Sequence, residues 1–416
     1  MQHKVVLVGS FDTKGAENAF VRDAIVDAGV DVVTVDTSVL GEPGFVPDVS
    51  REEVAAAAGE EHARLVSDQD RGRALATMAV GARAIVAGLF TSGEIQGAIA
   101  LGGTGGTSLA AIAFRELPVG VPKLIISTAA SGNTAPYVGE TDLILMPTIV
   151  DIAGLNRITT PILANGAAAL VGMVTHTTQF PQSSKPLVAA TMFGVTTACV
   201  VHARDLLEQF GYEVIVFHMT GSGGRALENL IRRGYFAGVL DVTTTELADN
   251  LVGGVFDAGP DRVSAAGQSG VPQVVSVGAL DMVNFGARDS VPEQFADRTL
   301  YEHNSSVTLM RTTVEENAAL GSILGRKLAA AAGPTSLFIP LKGVSAIDSD
   351  GGVFNDPQAD EKLFASLRQE VAGSNVEVIE MDNNINDPAF AAAMVERLDS
   401  LIREHTDSAS EPTNRR

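Results

Sequence analysis

An apolar run that leads through a glycine-containing loop into a helical pattern, and then into a second apolar run, constrains this chain more than any other feature. The first run occupies residues 5–8, the helical pattern 16–28 and the second run 30–35. Short apolar runs separated by a helix predict a strand–helix–strand unit whose two strands pair in parallel. The pattern therefore predicts an α/β fold.

The same unit recurs in the second half of the chain. Apolar runs at 187–190 and 214–217 flank a helical pattern that ends near Phe210. The chain of 416 residues also exceeds the roughly 250 to 300 residues at which single cores stop growing.

We therefore predict two doubly wound lobes with mainly parallel sheets and a cleft between them. The proline- and serine-containing segment 180–186 is the best candidate linker. The predicted lobes span 1–182 and 183–405, and a flexible tail is expected over 406–416.

Charge and cysteine usage limit the partners and the compartment. The chain has 29 basic and 50 acidic residues and a net charge of −21, a field that repels nucleic acids and anionic membranes alike. Cys199 is the one cysteine, so an intramolecular disulfide is excluded and a reducing compartment is favoured. Without a secretory apolar region or about 18 uninterrupted apolar residues, a cytoplasmic location is expected.

The loop after the first predicted strand, residues 8–17, is a candidate phosphate site. Free amides at the start of a helix point towards a ligand at this edge of a parallel sheet. Ser10 and Thr13 could donate hydrogen bonds, and Lys14 could add a positive charge. Asp12 could hold Mg²⁺ or accept a ribose hydroxyl. An ordinary turn capped by Asp12 or Thr13 is the alternative.

The second candidate loop has the sequence GGTGGT and follows another apolar run. Its glycines allow the backbone to approach a ligand closely, although it matches neither GxxxxGK[ST] nor GxGxxG. Tight helix–strand packing through glycine is the weaker alternative. The hydroxyl-rich segment 127–142 could line the same crevice or form a plain turn. The candidate ligand-binding residues are Gly102, Gly103, Thr104, Gly105, Gly106 and Thr107.

The segment 218–228 in the second half repeats the order of strand, glycine-rich turn and helix. It predicts a second anion site, which we assign to the substrate. Asp241 ends a later apolar run and precedes three threonines at 243–245, which helix capping alone would explain. The candidate substrate-binding residues are Gly221, Ser222, Gly223, Gly224 and Arg225.

Further polar residues interrupt the last part of the chain. Asp281, His303 and Arg311 lie among strand-like pieces, but a single histidine is more often structural than a general base. The Asp- and Gly-rich segment 340–360 could be a lid, a substrate loop or a solvated surface loop, and it lacks the ligand spacing of an EF-hand. The sequence contains no HExxH, CxxC or GxSxG motif, so neither a protein-bound zinc nor a hydrolase nucleophile is indicated.

Taken together, these motifs resemble one family over nearly the whole chain, from about Val5 to about Arg403. It is the little-characterised family that includes the ATP-binding N-terminal region of the tomato mosaic virus resistance protein. The chain departs from it at Gly9, Ser10 and Phe11, where members commonly show Gly-Thr before Asp-Thr-Lys, and at Ala198, where they often show proline. The motifs are GSFDTKGAE, GGTGGT, MFGVTTACV, FHMTGSGGRALE, DVTTTELADNLVGG, DMVNFG, HNSSVTLMRTT and GVSAIDSDGGVFNDPQAD.

The resemblance implies two Rossmann-like lobes, ATP with Mg²⁺ as ligand, and a homodimer, and we expect the nucleotide on the first lobe. The first functional hypothesis is an ATP-dependent phosphotransferase or ligase-like enzyme acting on a small polar metabolite, with Asp241, Asp281 and His303 as candidates for activating the acceptor. The second is a nucleotide-binding module without turnover that regulates a partner or a dimer. The third is a nucleotide-independent enzyme that acts on a phosphorylated metabolite.

Overall fold

The computed structural model describes residues 3–176 and 183–410. The chain divides into two compact units, Met1–Phe180 and Pro181–Arg416. The start of the predicted linker 180–186 lies outside the described residues.

The first unit is built on one sheet with helices on both faces. Its strands are β1 (Lys4–Gly9), β2 (Asp31–Asp36), β3 (Gly97–Gly102), β4 (Lys123–Ser127) and β5 (Ile144–Pro147). Its helices are α1 (Gly15–Asp27), α2 (Arg51–Ala57), α3 (His62–Asp68), α4 (Arg71–Thr91), α5 (Thr104–Phe114), α6 (Ala135–Val138) and α7 (Thr159–Thr175). The strand order is β2-β1-β3-β4-β5, and every neighbouring pair is parallel.

Strand β1 shows why its sequence is a continuous apolar run. Val6 and Val8 pack into a core with α4 and α5, whereas Val5 and Leu7 pack into a second core with α1 and α7. Successive side chains of a strand point to opposite faces, so a strand covered on both sides needs apolar residues at every position.

The second unit contains a larger parallel sheet and a small antiparallel one. Its strands are β6 (Leu187–Met192), β7 (Glu213–His218), β8 (Gly238–Thr243), β9 (Gln273–Gly278), β10 (Met282–Phe285), β11 (Leu300–Asn304), β12 (Val307–Arg311), β13 (Thr335–Pro340) and β14 (Glu377–Met381). Its helices are α8 (Thr197–Gln209), α9 (Ser222–Arg232), α10 (Glu246–Val252), α11 (Ala265–Ser269), α12 (Val314–Ala329), α13 (Pro357–Val371) and α14 (Pro388–Ser410).

The parallel sheet of this unit has the order β14-β13-β9-β8-β6-β7, and the antiparallel sheet has the order β10-β12-β11. The prediction of two doubly wound, mainly parallel lobes is thus confirmed. The core between α8, α14 and the parallel sheet includes Cys199, which has no exposed surface. Burial raises the pKa of its thiol to about 12.

Two helices bear on earlier expectations. Helix α14 continues to Ser410, beyond the predicted start of the tail at residue 406, and residues 411–416 lie outside the described part.

Helix α4 is, in the described chain, the one helix with the length and composition of a membrane span. A core helix passes the same test, and α4 contributes Met78 and Val86 to the first unit's core.

Candidate functional site

The strand order of the first unit marks where a ligand is expected. The chain adds β2 on one side of β1 and then crosses to the other side to form β3, so the loops after β1 and β3 diverge. Ligands of open parallel sheets bind at such a switch point, outside the carboxyl ends of the strands. The candidate loops after β1 and β3 both begin here, because Val8 of β1 pairs with Ala100 of β3.

The loop after β1 leads into α1 without a side-chain cap. Lys14 occupies the N-cap position, and no side chain in the described part of the chain caps the first turn. The alternative of a turn capped by Asp12 or Thr13 is therefore wrong. Thr13 is exposed and Ser10 is half-buried, so both hydroxyls lie at the surface of this loop.

The charged residues of this loop already have protein partners. Asp12 Oδ2 accepts a hydrogen bond from the Gly41 backbone N–H at 3.1 Å, and Lys14 Nζ donates to the Ile152 carbonyl. A lysine ammonium has three donors, so this one bond leaves Lys14 able to contact a further acceptor.

The loop after β3 presents the most open backbone at the switch point. Gly103 occupies the N-cap position of α5 and has no side chain to cap it. The first amides of a helix have no partner within the helix. Thr104 is exposed and Gly105 is half-buried, and a Cβ placed at Gly105 would meet only Leu75 Cδ2, at 3.7 Å.

Close packing requires glycine at some positions of this loop but not at others. Gly102 packs on the helix, because a Cβ there would lie 3.2 Å from the Cα of Gly106. A Cβ at Gly106 would have ordinary contacts, with its nearest neighbour at 3.7 Å. Close packing therefore explains Gly102 but does not explain Gly105 or Gly106.

Thr107 was predicted to contact the ligand, and the structure gives it a different position. Its side chain has no exposed surface, and its hydroxyl bonds to the Gly103 carbonyl at 2.8 Å and to Ser127 Oγ at 2.6 Å. Ser127 Oγ also accepts the Ala129 backbone N–H. Thr107 thus fixes the loop to the end of β4 and does not face a ligand.

Asp36 was missed by sequence reasoning. It ends β2, has no exposed surface, and accepts hydrogen bonds from the backbone N–H groups of Phe11 and Ser38 at 3.1 and 3.0 Å. Ser38 Oγ donates to its other oxygen. Asp36 therefore positions the loop after β1. The signal was available, since an apolar strand here ends in an aspartate.

The corresponding switch point of the second unit lies between β6 and β8, and buried side chains occupy it. Arg262 has no exposed surface, and its guanidinium donates to both oxygens of Asp241, at 2.6 and 2.7 Å. Its Nε donates to Glu246 at 2.7 Å, and its Nη1 lies 3.5 Å from Glu228. Although burial opposes the charged form, these carboxylates raise the pKa of Arg262 above its usual value.

Asp241 was predicted to be catalytic, and its surroundings favour a structural role. Both oxygens face Arg262, and Thr191 Oγ1 donates to one of them at 2.8 Å. A carboxylate that accepts three hydrogen bonds and is 3% exposed is shielded from an acceptor substrate.

The predicted substrate-anion site at the start of α9 is filled by the protein itself. Glu246 Oε1 accepts the backbone N–H groups of Gly221 and Gly224 at 2.7 and 3.1 Å. A Cβ at Gly224 would lie 2.0 Å from Glu246 Oε2, and one at Gly223 would lie 1.8 Å from the His218 carbonyl oxygen. The assignment of these glycines to a substrate is therefore corrected: Gly221 and Gly224 bind an internal carboxylate, and Gly223 packs against the His218 carbonyl. Of the other two residues assigned with them, Ser222 begins α9, and Arg225 donates to the Asp257 carbonyl at 2.9 Å.

A second buried charge cluster surrounds Arg311. Its Nη2 lies 2.7 Å from Asp360 Oδ1 and 3.5 Å from Asp348 Oδ1. Burial and the neighbouring Asp281 and Asp360 raise the pKa of Asp348 to about 9. One guanidinium therefore faces three carboxyl groups, and Asp348 retains its proton at neutral pH.

Asp281 is the third carboxyl of this cluster and was predicted to be catalytic. It has no exposed surface, and Ser345 Oγ donates to its Oδ2 at 2.7 Å. Its Oδ1 has no hydrogen-bond partner among the described residues. Burial raises its pKa to about 6. The predicted lid or substrate loop contributes Ser345 and Asp348 to this cluster and is folded into the core at these positions.

His303, the last predicted catalytic residue, is exposed on β11. It reaches the loop after β6, because a Cβ at Gly194 would lie 3.5 Å from its Nε2. Among the described residues, no hydrogen bond joins His303 to Asp241 or Asp281. The structure therefore does not assemble these three residues into one hydrogen-bonded group.

Models of one family match both units of this chain. Its N-terminal domain matches residues 3–179 and its C-terminal domain matches residues 185–402, both described as "Uncharacterised protein family (UPF0261)". The chain belongs to the UPF0261 family.

Relatives of this UPF0261 chain occur in bacteria and in a plant. A UPF0261 protein of Clostridium tetani is 50% identical over 97% of this chain and all of its own length. A UPF0261 protein of Mesorhizobium japonicum is 44% identical over 95% of this chain and 98% of its own. The ToMV resistance protein Tm-1(GCR237) of Solanum lycopersicum is 40% identical over 94% of this chain and 55% of its own. The resemblance found from the motifs is thus confirmed.

Among solved structures, a UDP-N-acetylglucosamine 2-epimerase from Rickettsia bellii aligns over 99% of both chains, with 9% identity and a TM-score of 0.23. A likeness this low carries no functional argument for the UPF0261 chain.

The side chains of the first-unit site could hold Mg²⁺ only if phosphate oxygens also act as ligands. No group of three or more metal-ligating His, Cys, Asp or Glu side chains occurs in the described residues. Asp36 accepts three hydrogen bonds from Phe11 and Ser38, which leaves Asp12 as the candidate carboxylate in the loop after β1. Mg²⁺ in nucleotide sites is commonly held by one or two carboxylates together with phosphate oxygens and water, and Asp12 fits that pattern.

Proposed function

We propose that the first unit binds the phosphate groups of a nucleotide at the β1/β3 switch point. The observation that supports this most is the pair of uncapped helix N-termini, those of α1 and α5, that begin on either side of it. Amides at the start of a helix bind anions by hydrogen bonding and through the helix dipole. The net charge of −21 does not oppose this, because the anion is held by local donors.

ATP with Mg²⁺ is the nucleotide that the family resemblance implies, and we include it in the proposal. The backbone from Gly103 to Gly106 would hold phosphate oxygens, and Ser10 and Thr13 would donate further hydrogen bonds. Asp12 would hold Mg²⁺, which supplies neutralisation of the phosphate charge. We further propose that the protein acts in the cytoplasm and as a homodimer, for which size-exclusion chromatography with light scattering is the direct test.

Turnover of the nucleotide is a separate question from binding. The predicted catalytic residues all lie in the second unit, and Asp241 is engaged by Arg262. Binding is thus the function with the firmer geometric support. The phosphotransferase hypothesis now depends on Asp281 and His303, and substitution of each by alanine tests it through ATP consumption in a metabolite screen.

The binding proposal is tested by placing a negative charge at the start of α5. A Cβ at Gly105 has ordinary contacts, so Gly105→Asp should fold, and an acidic residue in a first helical turn is itself favourable. We expect wild-type protein to gain thermal stability with ATP and Mg²⁺ by mass action, and Gly105→Asp to lose that gain while its unliganded melting temperature is kept or raised.

Gly105→Ser is the matched control, because it adds a side chain of similar reach without charge. It should keep most of the ATP-dependent gain. An ATP-dependent gain of full size in Gly105→Asp, or no gain with any nucleotide in the wild type, would refute the proposed site.

A further inference from the structure

The segment that follows β5 is tied to the loop proposed to hold phosphate. It leads from the edge strand of the sheet into α7, which packs with α1 in one core. Two contacts join it to the start of α1. The Gly154 backbone N–H donates to Glu17 Oε1 at 2.5 Å, and the Ile152 carbonyl accepts from Lys14 Nζ.

The same segment contains a strained residue. Ile149 has a φ of 68°, and its side chain is 83% exposed. The Val150 N–H donates to the Thr148 carbonyl at 2.7 Å, which closes a three-residue turn around Ile149. Left-handed backbone is unfavourable for a β-branched residue, and an exposed side chain gains little packing to compensate. The turn therefore depends on the contacts that hold its neighbours in place.

Lys14 holds the segment at Ile152, three residues after the turn, and it also belongs to the loop after β1 that is proposed to hold phosphate. A phosphate oxygen attracts an ammonium more strongly than a neutral carbonyl does, because the interaction is charge-assisted on both sides. Lys14 has three donors, but its Nζ stays beside the Ile152 carbonyl while that bond is kept. A nucleotide that draws Nζ towards its phosphate therefore competes with the carbonyl for Lys14. Glu17 is not in that competition, since its partner is a backbone N–H.

We propose that residues 148–156 form a ligand-responsive segment: bound nucleotide draws Lys14 away from the Ile152 carbonyl, and the strained turn at Ile149 then opens. This inference rests on the proposed function and adds a regulatory consequence to it. Binding at the phosphate site would thus change the conformation of a surface that carries the exposed side chains of Ile149, Leu155 and Ile158.

Hydrogen exchange of the full-length chain, with and without ATP and Mg²⁺, tests the inference, and calorimetry on the same samples measures binding. We expect peptides covering 148–156 to exchange severalfold faster with nucleotide. Lys14→Met should show the faster exchange without nucleotide and no further change with it. Lys342→Met, which removes an exposed lysine of the second unit paired with Asp382, is the control and should behave as wild type.

The outcomes separate the two proposals. Nucleotide binding by calorimetry without faster exchange in 148–156 overturns the inference and leaves the binding site standing. Absence of binding overturns the proposed function and the inference with it.

Ile149→Asn provides a second variant, because asparagine tolerates left-handed backbone. It should make the closed turn more favourable and weaken nucleotide affinity by roughly tenfold, the factor expected from relief of such strain. Wild-type affinity in Ile149→Asn would show that the strained turn is not coupled to the nucleotide.

Discussion

The two units share a strand order around their switch points and place opposite chemistry there. In the first unit the loop after β3 is glycine-rich, and its amides are uncapped. In the second unit the loop after β8 consists of buried threonines, and Arg262 holds Asp241 and Glu246 beside it. The first switch point is the one we propose for a charged ligand from solution, whereas the second already contains buried side chains of both charges.

This comparison shows what a glycine-rich turn does and does not predict. Residues 221–224 and 102–106 are similarly rich in glycine, and in both the backbone can be approached closely. In the second unit the group that approaches is the Glu246 carboxylate. A glycine-rich turn therefore predicts close approach, while the identity of the approaching group depends on residues distant in sequence.

The largest effect is expected from Arg262→Met. The substitution leaves the carboxylates of Asp241, Glu246 and Glu228 buried without their cation, which should cost the second unit about 3–5 kcal/mol. Urea unfolding followed by circular dichroism measures it. Arg326→Met is the control, because Arg326 is 60% exposed beside Glu370, and it should change stability by at most about 1 kcal/mol. An unchanged urea midpoint for Arg262→Met would contradict the stabilising role assigned to the buried charges at the second unit's switch point.

The next effect contrasts one glycine from each unit. Gly224→Ala introduces a Cβ 2.0 Å from Glu246 Oε2 and should destabilise the second unit by about 1–3 kcal/mol. Gly105→Ala meets only ordinary contacts and should be neutral or stabilising by up to about 1 kcal/mol. Equal effects in thermal unfolding would contradict the different causes assigned to these glycines.

The units should also respond to pH in opposite directions. In the second unit, burial raises the folded-state pKa of Asp348 to about 9, so its contribution to stability is complete below the unfolded pKa near 4 and is lost as pH rises through about 9. In the first unit, burial opposes the charged form of Asp142, but hydrogen bonds from Lys123 and the Gly120 N–H lower its pKa. That contribution is present above the unfolded pKa and is lost as pH falls.

Asp348→Asn isolates this effect, because an amide cannot ionise. Relative to wild type, the variant should become steadily more stable between about pH 5 and pH 8, by up to about 1.4 kcal/mol for each pH unit. Native-state hydrogen exchange of β13 amides measures it in the second unit. The same slope with pH in wild type and variant would show that Asp348 is not the responsible group.

The smallest effect concerns how the loop after β3 is held. Thr107→Val removes the hydroxyl that joins the Gly103 carbonyl and Ser127, at a cost of about 1 kcal/mol. Thr107→Ser keeps the hydroxyl and should restore most of the stability. If Thr107 instead contacts the nucleotide, the valine variant will lose affinity with no change in unliganded melting temperature.

The regular elements could be predicted because their signal is local. The runs at 5–8 and 16–28 became β1 and α1 with boundaries shifted by about one residue. The antiparallel sheet of β10, β11 and β12 was not anticipated, since its short strands carry polar residues such as Asn284 and His303.

Some residues of the two switch points could likewise be predicted from local sequence, and others could not. Glycines, hydroxyls and Lys14 after β1 and β3 follow directly from position in a strand–loop–helix pattern. Arg262 does not, because Glu228 and Asp241 come to it from α9 and β8. Its own sequence context contains no motif, and only the fold makes three carboxylates its neighbours.

Burial of Cys199 gives the chain a built-in chemical reporter. The thiolate is the form that reacts with alkylating reagents, and in the folded second unit this thiol is enclosed, with a pKa of about 12. Alkylation therefore requires the second unit to open, and the chain has no other cysteine to add background. The rate at which Cys199 is alkylated therefore measures how often the second unit opens, and it does not report on the first unit.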